Sequence, residues 1–208
     1  MNRYLVALAA TADQVEARAD ELNRLDAVAG DGDLGVTMGR AASVVRDLLA
    51  ELDGQTLAQA LKAMGLTIAR NAPSTCGTLL ATGLLSASRS VEATVEASAH
   101  TTATLLAAAS AAITERGGAE TGAKTLLDAL VPAATASAKA ADEGATLDAT
   151  LVTAASAAEL GAESTVEMRA RFGRAGWLAD RSAGHEDAGA RLIAIIFRAF
   201  SDGLQTQE

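Results

Sequence analysis

Asp26, Asp31 and Asp33 stand at i, i+5 and i+7 in the stretch LDAVAGDGDLG, residues 25–35, interleaved with Gly30, Gly32 and Gly35. One Asp, or two, can cap a helix or shape a turn. Three within eight residues repel one another unless a cation lies between them. Hard divalent cations take carboxylate oxygens, and Mg²⁺ is commonly held by one or two carboxylates together with waters and substrate phosphates. Glycines let the backbone turn tightly enough for the three side chains to converge. The pattern favours a divalent-cation site over a solvated turn.

Three more loops carry reactive or charged residues. In NAPSTCGT, residues 71–78, small hydroxyl residues and a glycine open a helix. They suit an anion site, or ordinary capping by Ser74 or Thr75. Cys76 there fits a small buried residue better than a nucleophile. In GGAETGAKT, residues 117–125, Lys124 and Thr125 follow glycines as in a phosphate-binding loop. The Walker spacing is not met, because Ala123 separates Gly122 from Lys124. Residues 169–189 gather Arg169, Arg171, Arg174 and Arg181 in an otherwise acidic chain. Arginine clamps phosphate, but such a cluster also pairs with surface acids. His185 and His100 are the only histidines, too few for a His-rich zinc site. Taken together, clustered acids, glycine turns, hydroxyls and arginines are the parts of a nucleoside polyphosphate site. Phosphoryl transfer there rests on positioning and charge neutralisation.

The rest of the chain must position these loops, and its patterning is helical. Leu5, Leu8, Ala12, Val15, Ala19 and Leu22 alternate spacings of three and four, which places them on one helical face. Met38, Ala41, Val45, Leu48 and Leu52 form a second face, ended by Asp53-Gly54. Further helices are predicted over about 56–70, from about 79, over 100–114, 124–142, 147–168 and 190–200. Strand-like alternation between hairpin turns is missing. Half of the 208 residues are apolar but only 2% are aromatic, so small side chains must build the core. Seven or eight helices with short loops describe an all-α bundle in one domain, residues 1–208.

The formal net charge of −9 argues against a nucleic-acid partner, which needs a basic face. A single cysteine excludes an internal disulfide framework and fits a reducing compartment. The first twenty residues do not read as a signal peptide, and no long uncharged apolar run suggests a membrane span. A cytoplasmic protein without a membrane partner is expected.

Three ordered motifs resemble the nucleotide-binding L subunit of dihydroxyacetone kinase and the equivalent C-terminal domain of single-chain dihydroxyacetone kinases. The family signature L-D-x-x-x-G-D-x-D-H-G reads LDAVAGDGDLG here. A G-D-K-T-M segment reads GAKTL, Gly122 to Leu126. A closing loop G-R-A-S-Y-L-G-E-R-S-x-G-H-x-D-P-G-A reads GRAGWLADRSAGHEDAGA, Gly173 to Ala190. The resemblance covers nearly the whole chain.

It implies an antiparallel eight-helix barrel, closed at one end, with the nucleotide at the open end. By matching position, Asp26, Asp31 and Asp33 would hold two Mg²⁺ ions bridging the phosphates of ATP or ADP. Leu34, Gly35, Val36 and Thr37 fall at phosphate-contacting positions, and Thr75 and Cys76 lie beside the nucleotide. Gly117 and Leu126 fall around the adenine and ribose. Arg174 matches an arginine near the phosphates, and Asp187, Ala188 and Gly189 match a turn covering the nucleotide. Asp26, Asp31, Asp33 and Arg174 would be the catalytic set. Leu34 replaces a histidine, Cys76 a serine, Leu126 a methionine and Ala188 a proline. No metal ligand is lost, but polar contacts to phosphate are.

The family's sugar site, where a histidine binds the ketose as a hemiaminal, belongs to a different subunit or domain. The resemblance therefore implies a K-type ketose-binding partner, for dihydroxyacetone or a short ketose such as erythrulose. The phosphoryl donor is ATP in one branch. In the other, a phosphotransferase-system phosphocarrier recharges bound ADP. A homodimer or a complex with the partner is expected. The alternative is a nucleotide-dependent regulatory module that contacts a transcription factor.

Overall fold

The computed structural model describes residues 3–92, 94–172, 176 and 179–206. The main helices are α1 (Arg3–Ala17), α2 (Ala19–Ala29), α3 (Leu34–Leu52), α4 (Leu57–Asn71) and α5 (Thr75–Arg89). They continue as α6 (Ala99–Gly117), α7 (Leu127–Asp142), α8 (Leu147–Ser164) and α9 (Ala188–Gln205). A 3₁₀ turn at Thr165–Glu167 and one helical turn at Ala179–Ser182 lie between α8 and α9. No strand occurs among the described residues.

Side-chain oxygens set most helix starts. Thr56 and Gln59 form a capping box at α4. Ser74, Ser98, Thr146 and Asp187 each accept a backbone N–H at the starts of α5, α6, α8 and α9. Because Asp187 is the cap, α9 begins two residues before its apolar periodicity suggests. Helix α7 begins at Leu127 rather than Lys124, since Gly122 and Lys124 both have left-handed φ, 88° and 60°. The helix expected through Leu22 bends at Arg18. Its hydrogen bonds run on across the bend, Arg18 N–H to the Gln14 carbonyl and Leu22 N–H to the Arg18 carbonyl. Leu5, Ala12, Val15 and Leu22 therefore keep one buried face.

The helices close a ring in chain order. Helix α1 packs on α3, each helix from α3 to α8 packs on the next, α8 packs on α9, and α9 returns to α1. This is the expected antiparallel eight-helix barrel. Helix α2 stands outside the ring order and packs on α3 and α9. Connections between antiparallel neighbours alternate between the two ends. Residues 30–33, 72–74, 118–126 and 165–187 are every second connection, so all four chemically distinctive loops share one end.

Small side chains make the close helix spacing possible. Ala129, Ala133, Ala154, Ala155, Ala158, Ala162 and Ala190 are completely buried. Ion pairs stitch the outside: Arg46 to Asp13 and Glu16 joins α3 to α1, Arg198 to Glu159 joins α9 to α8, and Arg3 to Asp148 joins α1 to α8. Partly exposed pairs contribute about 0–1 kcal/mol each, so packing holds the ring.

Between helices of the ring, the closest glycine approach is at Gly161 of α8. A Cβ there would lie 2.3 Å from the Asp128 carbonyl oxygen of α7. Gly161→Ala should therefore destabilise the fold by about 1–3 kcal/mol, the usual cost of overpacking. Urea unfolding checks this; a midpoint unchanged from wild type contradicts the packing described.

Candidate functional site

Asp26 projects from the last turn of α2, and the following loop folds around its carboxylate. One oxygen, Oδ2, accepts N–H groups from Gly32 at 2.9 Å, Asp33 at 3.0 Å and Leu34 at 3.3 Å. That wrapping brings one carboxylate oxygen from each of Asp26, Asp31 and Asp33 within 4.8 Å of the others. Asp26 is half-buried, while Asp31 and Asp33 are exposed.

Asp33 occupies the N-cap position of α3 but makes no capping hydrogen bond. Asn23 does that work from α2, accepting the Val36 N–H at 3.2 Å. Gly35 permits the approach: a Cβ would fall 1.9 Å from the Ala19 carbonyl oxygen. The Asp33 carboxylate thus stays out of helix capping. Three hard, anionic oxygens beside the start of α3 fit Mg²⁺ or another oxygen-seeking cation and offer nothing to soft metals. The positive end of the α3 dipole adds an anion-favouring feature next to them.

Helix α5 opens at the same end. Ser74 caps it, accepting the Gly77 N–H at 3.0 Å, and Thr75 is exposed on the first turn. Burial pushes the Cys76 thiol up to about 12, and the charges of Asp187 and Asp26 push the same way. Cys76 is thus a protonated packing residue that touches two hydrophobic clusters of the barrel.

The two remaining loops are fastened to each other. Buried Asp128 accepts N–H groups from Gly122 and, at 2.7 Å, from Thr125. Arg171 donates to the Gly122 carbonyl at 3.1 Å, and its own N–H donates to the Ala123 carbonyl. Lys124 is 5% exposed, and its ammonium donates to the carbonyls of Thr165 and His185. This corrects the phosphate-loop reading of Lys124: its charge is spent inside the protein.

Asp187 caps α9 through the Ala190 N–H at 2.8 Å and donates its own N–H to Thr165 Oγ1 at 2.8 Å. Burial pushes its carboxyl up to about 6; the Ala190 amide opposes the rise, Asp128 adds to it, and Lys124 opposes it. Gly189 lies against Leu126, which is buried in the core with Ala188. Gly117 is exposed at the end of α6, beside Leu79 of α5. A clasp from Arg191 to Glu21, at 2.7 Å, ties α9 to α2. Burial works against the Glu21 carboxylate, but hydrogen bonds from Arg191 and Arg18 hold its pKa below the usual range.

The residues singled out in the sequence therefore gather at one end of the barrel: Asp26, Asp31, Asp33, Leu34–Thr37, Thr75, Cys76, Gly117, Leu126 and Asp187–Gly189. Arg174 lies outside the described residues. Leu34 and Leu126 point into the core rather than to the surface. Sequence reasoning missed Asn23, Asp128 and Thr165. Asp128 had a signal, since Thr125-x-x-Asp128 before an apolar run has capping-box spacing. Asn23 had none, because it acts across thirteen residues.

Comparison with known proteins agrees with this architecture. The sequence model of the DAK2 domain matches residues 28–202. The chain is 29% identical over 186 residues to the PEP-dependent dihydroxyacetone kinase, ADP-binding subunit DhaL, of Escherichia coli, covering 89% of each chain. It is 30% identical over 195 residues to the corresponding subunit of PEP-dependent dihydroxyacetone kinase 1 of Listeria innocua, covering 94% of this chain and 91% of that one. The crystal structure of dihydroxyacetone kinase from C. freundii in complex with AMP-PNP and Mg²⁺ superposes with a TM-score of 0.77 at 25% identity. That match covers 97% of this chain, which spans about a third of that enzyme (34%).

The Asp187 shift has a defined sign. Its folded pKa, about 6, lies above the ordinary 3.8. The folded state therefore binds the proton more tightly, and this group's contribution to stability falls as pH rises from about 4 through about 6. Asp187→Asn keeps a capping side chain but cannot titrate. Its melting temperature relative to wild type should climb across that window and level off above it. Parallel melting curves for the two proteins at all pH values would contradict the assignment.

Proposed function

We propose that this chain, which belongs to the DAK2-domain family, is the nucleotide-binding, phosphoryl-transferring subunit of a dihydroxyacetone kinase. Residues 1–208 would act as one domain of this type. The observation that carries the reading is the convergence of Asp26, Asp31 and Asp33 beside the start of α3. The same end of the barrel carries the start of α5 and the Asp187–Gly189 turn. The relative solved in complex with AMP-PNP and Mg²⁺ supports a magnesium nucleotide as ligand.

In this reading Asp31 and Asp33 are ligands, and Asp26 both ligates and shapes the loop. Mg²⁺ held by Asp26, Asp31 and Asp33, two ions in this reading, would offset the charge that develops on the transferring group. The positive end of α3 at Leu34–Thr37 and the Thr75 hydroxyl orient the phosphates, the Leu34, Val36 and Thr37 amides themselves being held by Asp26, Asn23 and the Asp33 carbonyl. Gly117 and Asp187–Gly189 bound the nucleoside, and Leu126 packs behind Gly189. Arg174 supplies a positive charge near the phosphates. The chain forms no covalent intermediate, in keeping with the protonated Cys76 thiol. A K-type partner presents the ketose, dihydroxyacetone or erythrulose. The relatives named as PEP-dependent, ADP-binding subunits support a bound ADP recharged by a phosphocarrier, and the relative in complex with AMP-PNP supports ATP as donor.

Calorimetry with Mg-ADP and Mg-ATP tests the site. Asp31→Ala and Asp33→Ala should each abolish magnesium-dependent nucleotide binding, with little loss of stability because both side chains are exposed. Either variant binding nucleotide with wild-type affinity would show that the ligands lie elsewhere.

A further inference from the structure

Lys124 is the one non-glycine residue with positive φ among the described residues, at 60°. A lysine adopts that backbone only at a cost, and burying its ammonium adds another. Burial accordingly lowers its pKa, while the charges of Asp187 and Asp128 hold it up. Both costs are met at the point where the segment 165–187 begins and ends. The Lys124 ammonium donates to Thr165 O at one end of that segment and to His185 O near the other. The Gly184 N–H meets the Val166 carbonyl at 2.9 Å, and the Asp187 N–H meets Thr165 Oγ1 at 2.8 Å. The segment is thus closed at its base, and Lys124 is the plug. Its own loop is held by Asp128 and Arg171, so loop 118–126 and the two ends of the segment, residues 165–171 and 184–187, form one unit.

We propose that Lys124 is a positioning residue for the nucleotide. It fixes the base of segment 165–187 against loop 118–126. It thereby seats Asp187–Gly189 and Leu126 together at the nucleoside side of the site, without touching phosphate. This rests on the proposed nucleotide function.

Lys124→Met keeps the length of the side chain and removes the ammonium. In calorimetry its affinity for Mg-ADP should fall at least tenfold. Mn²⁺ binding without nucleotide, read by electron paramagnetic resonance, should stay within twofold of wild type. Amide hydrogen exchange should quicken in residues 165–172 and 184–190 and stay unchanged in α4 and α5. Lys124→Arg, which keeps charge and donors, should recover part of the affinity. Should the methionine variant fail to fold, Thr165→Val removes the acceptor for the Asp187 N–H and should give the same pattern more weakly. Mg-ADP affinity within twofold of wild type, or exchange that rises evenly through all helices, overturns the proposal. Wild-type protein that binds no Mg-ADP would instead sink the functional reading beneath it.

Discussion

Three carboxylates held within 4.8 Å of one another repel, and the fold has to offset that repulsion before a cation arrives. It does so with backbone. Three N–H groups converge on one oxygen of Asp26, which disperses part of the charge and fixes the loop in the same act. Asn23 takes over the capping of α3 and leaves Asp33 out of it. The remaining imbalance is what a hard cation would relieve. Much else at this end of the barrel follows: the start of α3 must press against α2, and α2 must be anchored to α9 by Arg191 and Glu21.

The barrel supplies the anchoring by simple parity. Neighbouring helices run antiparallel around a closed ring, so alternate connections meet at one end. Loops separated by about forty residues then share a site without any long excursion of the chain. Alanine-rich helices allow the ring to close tightly, and Gly161 marks where even a methyl group has no room. Rigidity at the helix ends is what a reaction governed by positioning needs.

Much of this was legible in the residues. Helical periodicity predicts the faces of α1, α2 and α3, because each buries one stripe against the ring. The aspartate loop reads as a cation site because no helix cap uses three acids. What escaped the sequence acts over distance or against local preference. Asn23 caps a helix thirteen residues away. Lys124 resembles a phosphate lysine, yet its left-handed backbone turns the ammonium inward to two carbonyls. Leu34, read as a phosphate-side position, fills core, and Leu126 is buried likewise. The early start of α9 follows from Asp187, whose capping bond to the Ala190 N–H no periodicity reveals.

The central claim is that Asp26, Asp31 and Asp33 hold a divalent cation in contact with a nucleotide's phosphates. Pulsed electron–nuclear double resonance on the Mn²⁺-loaded protein with ADP addresses it directly. Coupling of the bound Mn²⁺ to ³¹P is predicted, and it should vanish in Asp33→Ala. Mn²⁺ that binds the wild-type protein together with ADP but shows no ³¹P coupling would contradict the account.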